Sequence, residues 1–138
     1  MLRFMLDTNL CIRVLRDRPA GLRERFNIEA ASLCISTVTL AELLYGAERS
    51  AKPAENRNQV EAFAARLDVP PFDNAAAAHF ADIRADLERK GQVIGPYDLM
   101  IAGHARSLGL VVITGNLGEF RRVEGLRSED WLADPAVQ

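Results

Sequence analysis

Three short apolar runs divide the chain, and each is bounded by polar or turn-forming residues. Their sequences are LRFML at 2–6, SLCIS at 32–36 and LVVIT at 110–114. Runs of this length, separated by segments with a helical period, are typical of buried strands in a parallel sheet. A fourth, weaker run, LDVPPF at 67–72, contains two prolines, so it predicts only a short or peripheral strand.

Apolar residues at helical spacing predict helices between these strands. The segment STVTLAELLYGAERS places Leu40, Leu43, Leu44 and Ala47 on one stripe, and Ser36 or Thr37 can cap it. Further helices are predicted over 10–17, 53–67, 73–91 and 95–109. First-turn prolines, an Asp-Asn capping pair and glycines after the last turn support these bounds.

The alternation of strands and helices predicts a single α/β domain. At 138 residues and 49% hydrophobic content, the chain is long and apolar enough for one buried core. We expect residues 1–132 to form this domain and residues 133–138 to be a C-terminal tail.

No segment suggests a membrane span or a disulfide. The apolar run at Met1–Leu6 is far shorter than the roughly 20 residues that a spanning helix needs. Cys11 and Cys34 lie in apolar contexts without metal-ligand spacing, which favours buried, reduced thiols. A soluble, cytoplasmic protein without membrane association is therefore expected.

The charge pattern is mixed. A net charge of -2 argues against a nucleic-acid partner, but 15 of the 17 basic residues are arginine, and five of these lie between Arg13 and Arg25. The planar guanidinium suits phosphate. A solvated, charged face explains the same cluster, so the sequence leaves both interpretations open.

Three acids occupy apolar settings. Asp7 lies in FMLDTN, Glu42 in TLAELLYG and Asp98 in PYDLMIAG. Burying a carboxylate costs several kcal/mol unless a cation, a metal or backbone N–H groups compensate. A helix cap would explain Asp7 and the helix dipole would explain Asp98, whereas Glu42 in the middle of an apolar helix is expected to face an enclosed space.

These acids converge on one edge of the predicted sheet. Asp7 follows the first strand, the helix carrying Glu42 follows the second, and Gly115-Asn116 follows LVVIT. The carboxyl ends of parallel strands share an edge, where ligand crevices form. Asp98 can join them if its helix packs beside that edge.

A cluster of carboxylates calls for a hard divalent cation such as Mg²⁺ or Mn²⁺. Such ions support phosphodiester hydrolysis by activating water and stabilising the leaving oxygen. The two histidines, His79 and His104, lie on packing faces of helices, so we expect neither to act as a base.

The motifs MLDTN, STVTLAELLYGAERS and IGPYDLMIAGHARSLGLVVITGNLGEFRRVEGLRSEDW together resemble PIN-domain ribonucleases, specifically the VapC toxins of bacterial toxin–antitoxin pairs. The resemblance implies a three-layer α/β/α domain around a central, mainly parallel sheet of four to five strands. It also implies a Mg²⁺-dependent endoribonuclease that cuts RNA, in some relatives tRNA or rRNA. A VapB-like antitoxin whose C-terminal segment blocks the metal site and a homodimer are the implied partners.

By matching motif, Asp7, Glu42 and Asp98 would be the catalytic, metal-coordinating acids, and the hydroxyls of Thr8 or Thr114 would orient them. Many PIN domains have aspartate where this chain has Asn116. Either three acids and Asn116 suffice, or the fourth carboxylate comes from Glu119. The predicted RNA-binding arginines, which follow Asp7, are Arg13, Arg16 and Arg18.

Two alternative functions are a phosphatase and a binding module without catalytic activity. A phosphatase of the haloacid dehalogenase type needs a second aspartate two residues after the first, and this chain has Asn9 there. A catalytically inactive PIN-like module that binds RNA or protein would retain the fold. It would have no reason to keep Asp7, Glu42 and Asp98 in apolar settings.

Overall fold

The computed structural model describes residues 1–133, in which strands and helices alternate. The strands are β1 (Phe4–Leu6), β2 (Leu33–Cys34), β3 (Val111–Ile113) and β4 (Ser128–Glu129). The helices are α1 (Thr8–Arg16), α2 (Leu22–Glu29), α3 (Thr37–Glu48), α4 (Pro53–Ala64), α5 (Asn74–Arg89), α6 (Pro96–Leu108) and α7 (Leu117–Phe120). Short 3₁₀ turns occupy Ala30–Ser32 and Trp131–Ala133.

The sheet is fully parallel, with strand order β2-β1-β3-β4. Met5 of β1 lies opposite Cys34 of β2 on one side and Val112 of β3 on the other. The three strands predicted from the apolar runs are therefore confirmed, and β1 and β3 are central.

The fourth strand is not the one that the sequence suggested. The run at 67–72 contributes one isolated bridge, between Asp68 and Cys34, and the Ile35 N–H donates to the Asp68 carbonyl at 3.1 Å. Pro70 and Pro71 have no N–H to continue the pairing. The fourth strand is instead β4, whose two polar residues gave no hydrophobic pattern.

Alternate residues of the strands face two separate cores, which confirms the three-layer α/β/α architecture. One core combines Phe4 and Leu6 with side chains from α1 to α4. The other combines Met5 and Val112 with side chains from α5, α6 and α7. A one-residue step along a strand changes the face, so both faces must be apolar.

Helix signals in the sequence were reliable where the helices are long. The Ser36 hydroxyl accepts from the Val38 N–H at 3.0 Å, and the Asp73 carboxylate caps α5 by accepting from the Ala76 N–H at 3.0 Å. Gly109 ends α6 in the left-handed region, with φ 69°. Helices α2 and α7 were not predicted, because they are short and bury few apolar residues.

Both cysteines are free and buried, as expected, and burial raises the pKa of the Cys34 thiol to about 12.

Within residues 1–133, no helix is long and apolar enough to cross a membrane. The C-terminal tail predicted for 133–138 lies, from residue 134 onward, outside the described residues.

Candidate active site

Asp7 lies at the carboxyl end of β1 and is only 2% exposed. Its Oδ1 accepts from the Leu10 N–H at 2.8 Å, which caps α1, and its Oδ2 accepts from the Thr114 hydroxyl at 2.5 Å. Burial raises the pKa of Asp7, these two hydrogen bonds oppose that rise, and the charge of Glu42 adds to it. Asp7 is therefore both a helix cap and a buried acid at the sheet edge.

Glu42 of α3 is held toward Asp7 by a neighbour of Asp7 in sequence. The Thr8 hydroxyl donates to Glu42 Oε1 at 2.5 Å and lies 3.2 Å from the hydroxyl of the buried Thr39. The expected orienting role of Thr8 and Thr114 thus matches their hydrogen bonds to the acids.

The expectation that Glu42 faces an enclosed space is wrong. Glu42 is half-buried and lines an open cavity of about 360 Å³ among α1, α3 and α4. Its neighbours on that side, Tyr45 and Gly46, are exposed. The apolar residues on two sides of α3 did not require both sides to be buried, because exposing a tyrosine or a glycine to solvent costs little free energy.

Asp98 and Glu119 form a carboxyl pair. Asp98 lies in the first turn of α6, and Glu119 lies in α7. Burial raises the pKa of Asp98 to about 7, assisted by a hydrogen bond shared with Glu119 and then by the charges of Asp7, Glu119 and Glu42. Two carboxyls that interact this strongly bind and release protons as a pair.

Glu119 and Asn116 have different surroundings. Glu119 Oε2 is buried and, within residues 1–133, has no hydrogen-bond partner. The exposed Asn116 donates its backbone N–H to the Thr114 hydroxyl at 2.8 Å, and its side chain does not cap α7. Of the two alternatives for the fourth position, Glu119 is therefore the one that lies beside Asp98.

The donor set suits a hard divalent cation, since all the groups offered are oxygens. Four acids interact electrostatically, and one buried carboxyl oxygen of Glu119 lacks a partner. Within the described residues, however, no three His, Cys, Asp or Glu side chains are placed to ligate one ion together. This spacing is compatible with Mg²⁺, which takes one or two carboxylates and keeps several waters.

The three predicted RNA-binding arginines come together beside this edge. Arg13, Arg16 and Arg18 line a cavity of about 510 Å³. The remaining described residues around it are Asn9, Ile12, Gly115 and Asn116. We call these seven residues the arginine cavity.

Both histidines are engaged elsewhere. Nδ1 of the buried His104 lies 2.8 Å from the Ser36 hydroxyl, and the Phe72 ring meets the imidazole edge-on at 5.6 Å between centroids. His79 Nδ1 accepts from Arg106 Nε at 2.8 Å. Packing was the expected role, but the His104–Ser36 bond, which links α6 to the start of α3, was missed. Its only signal was a polar residue on an apolar stripe.

Comparison with known families gives one match that covers most of the chain. The PIN domain family matches residues 4–126, a range that includes the four acids Asp7, Glu42, Asp98 and Glu119.

Curated relatives resemble the chain over almost their whole length. A tRNA(fMet)-specific endonuclease VapC from Shigella flexneri is 56% identical over 131 residues, covering 95% of this chain and 99% of the relative. Ribonuclease VapC2 from Haemophilus influenzae is 46% identical over 132 residues, covering 96% of this chain and 100% of the relative. Among solved structures, DNA-bound VapBC from Salmonella typhimurium superposes with a TM-score of 0.91 at 56% identity, covering 95% of this chain and 99% of that one.

Proposed function

Since the chain belongs to the PIN-domain family, and within it to the VapC toxins, we propose that it is a Mg²⁺-dependent endoribonuclease toxin. It hydrolyses RNA phosphodiester bonds and is neutralised by a cognate VapB-like antitoxin. Two relatives with 56% identity are named as endonucleases specific for tRNA(fMet), so tRNA is the proposed substrate class. Solved relatives in complex with an antitoxin support the proposed partner.

One observation carries this proposal. Burial raises the pKa of Asp98 to about 7, and the carboxyls of Glu119, Asp7 and Glu42, which come from separate segments of the chain, add to this rise. Burial and repulsion make such a cluster unfavourable for stability alone, so its persistence points to a cation and to chemistry.

One or two of the carboxylates of Asp7, Glu42, Asp98 and Glu119 would ligate the cation directly, and the others would bind its water molecules, with Asn116 as the alternative at the fourth position. When bound, Mg²⁺ supplies positive charge near the phosphate oxygens and acidifies water. The protein itself contributes orientation: Thr114 fixes one carboxylate oxygen of Asp7, and Thr8 fixes one of Glu42. With both histidines occupied by Ser36 and Arg106, a carboxylate is the available proton acceptor.

Two further features belong to the proposal. The toxin is a homodimer, as the family resemblance implies, and it acts in the cytoplasm. Light scattering of the purified chain, alone and with its antitoxin, would measure the stoichiometry directly.

The variant Asp7→Asn should lose RNA cleavage while keeping its fold. Asparagine caps helices as well as aspartate does, so the hydrogen bond from the Leu10 N–H survives, but the negative charge is removed. We expect cleavage to fall by about 100-fold or more, the effect of losing one preorganised charge-stabilising group. Sequencing of RNA ends after expression, together with cleavage assays on purified tRNA in Mg²⁺, measures this.

Asp73→Asn is the matched control, because Asp73 caps α5 in the same way. It should cleave RNA at the wild-type rate. Retention of Mg²⁺-dependent cleavage by Asp7→Asn would contradict the assignment. A wild-type protein that binds RNA without cutting it would favour the inactive PIN-like module instead.

A further inference from the structure

The acids Asp7, Glu42, Asp98 and Glu119 interact at one edge of the sheet, which we call the acidic edge. The arginine cavity adjoins it at three points. Asn9 lies two residues after Asp7, and Asn116 lies three residues before Glu119. Arg13 stands close enough to Asp7 for its positive charge to lower the pKa of that carboxyl. An RNA strand bound at the acidic edge can therefore continue directly into the arginine cavity.

The arginines of the cavity are not needed to cap the carboxyl end of α1. Arg13 and Arg16 lie in its last turn, where basic side chains often stabilise the exposed carbonyls. In this helix Arg23 binds the exposed carbonyls instead: its guanidinium donates to the carbonyls of Val14 at 3.3 Å and Leu15 at 2.7 Å.

Backbone groups satisfy the same end of the helix. The Asp17 N–H donates to the Val14 carbonyl at 3.1 Å, and the Arg18 N–H donates to the Arg13 carbonyl at 3.0 Å. The Asp17 carboxylate in turn accepts from the Arg23 N–H at 3.2 Å. The turn that carries the arginines is therefore held in place without their side chains.

Arg16 and Arg18 are exposed, and within residues 1–133 their guanidinium groups make no hydrogen bond or ion pair. No acid is among the described residues that line the arginine cavity. Glu42 lines the neighbouring cavity of about 360 Å³, which Arg16 also borders. The arginine cavity therefore concentrates positive charge in a protein whose net charge is -2.

We propose that the arginine cavity binds a phosphate of the RNA backbone that flanks the cleaved bond, and so fixes where the strand crosses the acidic edge. This inference rests on the proposed ribonuclease function and names the subsite that holds the substrate. The acidic edge repels a polyanion, so affinity for RNA has to come from cations beside it.

The lining chemistry fits this ligand. Arginine forks bind phosphate oxygens in pairs, and the amides of Asn9 and Asn116 add neutral donors. Gly115, which has no side chain, is exposed at this wall. At about 510 Å³ the cavity has room for a phosphate together with its sugar or base, with Ile12 as an apolar wall.

The test is the salt dependence of RNA binding by Arg16→Ala/Arg18→Ala. Binding of a fluorescein-labelled, unstructured RNA oligonucleotide is followed by anisotropy over a range of salt concentrations, with EDTA present so that no RNA is cut. We expect weaker binding and a slope of log K against log salt that is smaller by about 0.7 for each phosphate that the variant no longer neutralises. Arg16→Lys/Arg18→Lys should keep the slope but bind less tightly, because lysine cannot form the paired hydrogen bonds.

The matched control is Arg84→Ala/Arg89→Ala on α5, which removes the same charge from exposed side chains that pair with Glu88 and Asp86. Its salt slope should stay at the wild-type value. An equal change in slope for both double variants would overturn the proposal, since net charge alone would then explain binding. An unchanged RNA slope with weakened antitoxin binding would also overturn it and would assign the cavity to a protein partner.

Cleavage of tRNA by the wild-type protein in Mg²⁺, run in parallel, separates the two levels of inference. If the wild type cuts RNA and Arg16→Ala/Arg18→Ala keeps the wild-type slope, only the phosphate cavity is refuted. If the wild type neither binds nor cuts RNA, the ribonuclease function is refuted and the cavity assignment with it.

Discussion

At the scale of single residues, the acids combine structural and chemical roles. Asp7 caps α1 with one carboxylate oxygen and accepts from Thr114 with the other. A capping role therefore does not argue against a functional one, since aspartate has acceptor capacity for both. Glu119 differs, because its buried Oε2 has no partner within the described residues, which leaves an oxygen available to a cation.

Comparison of Glu119→Gln with Asn116→Ala should show which residue completes the proposed metal site. We expect Glu119→Gln to weaken Mg²⁺ binding by about 10-fold or more, because it removes a charge beside Asp98. Asn116→Ala should leave the Mg²⁺ affinity nearly unchanged, since its side chain lines the arginine cavity. Isothermal titration calorimetry with Mg²⁺ measures both. The reverse ranking would place the fourth ligand at Asn116.

At the scale of elements, strand ends and helix packing position the acids. The Asp7 N–H donates to the Ile113 carbonyl at 3.0 Å, which ties the end of β1 to the end of β3. Helix α6 carries Asp98 and packs closely on α5, because Gly103 has no side chain to hold the two apart. Ala102 and Ala105 of α6 are buried as well.

The substitution Gly103→Ala should destabilise the protein and displace Asp98. A Cβ at this position would lie 2.7 Å from the Phe80 backbone nitrogen and 2.9 Å from its Cα, and backbone cannot yield as a flexible side chain does. We expect a loss of about 1–3 kcal/mol in the free energy of unfolding, measured by urea denaturation. RNA cleavage should fall as well, since α6 carries an acid of the site.

Gly46→Ala in α3 is the control for this prediction. A Cβ there meets nothing within 4 Å, so the variant should be as stable as the wild type or about 0.5–1 kcal/mol more stable. Equal stability of Gly103→Ala and the wild type would show that α5 and α6 can separate without cost.

At the scale of the whole molecule, the acidic edge opposes the stability that the two cores provide. The pKa of Asp98 rises from 3.8 to about 7 on folding, and the pKa of Asp7 also rises. The folded state therefore binds more protons than the unfolded state between these pH values. Without a bound cation, stability from these groups is highest at low pH and falls as the pH rises toward 7.

We expect Asp98→Asn to remove most of this fall. His104 acts in the opposite sense, because burial lowers its pKa and the stability from that group is lost as the pH falls below 6.5. Both proteins contain His104, so the difference between their pH profiles isolates Asp98. Thermal unfolding of both proteins in EDTA, from about pH 4 to pH 8, measures the difference. Saturating Mg²⁺ should raise the Tm of the wild type at pH 7 much more than that of Asp98→Asn. Parallel pH profiles for the two proteins would contradict this.

The sequence by itself determined the strands and helices with strong hydrophobic patterns, the parallel α/β architecture and the position of Asp7 at the end of the first strand. These features depend on local periodicity and on the rule that parallel strands share an edge. Only the tertiary structure decided α2, α7 and β4, which are too short or too polar for a periodic signal. It alone also decided that Glu119 faces Asp98, that Glu42 borders an open cavity, and that Arg23 frees Arg16 and Arg18 from capping α1. Each of these depends on contacts between residues distant in sequence or on the direction of a side chain, which spacing along the chain does not encode.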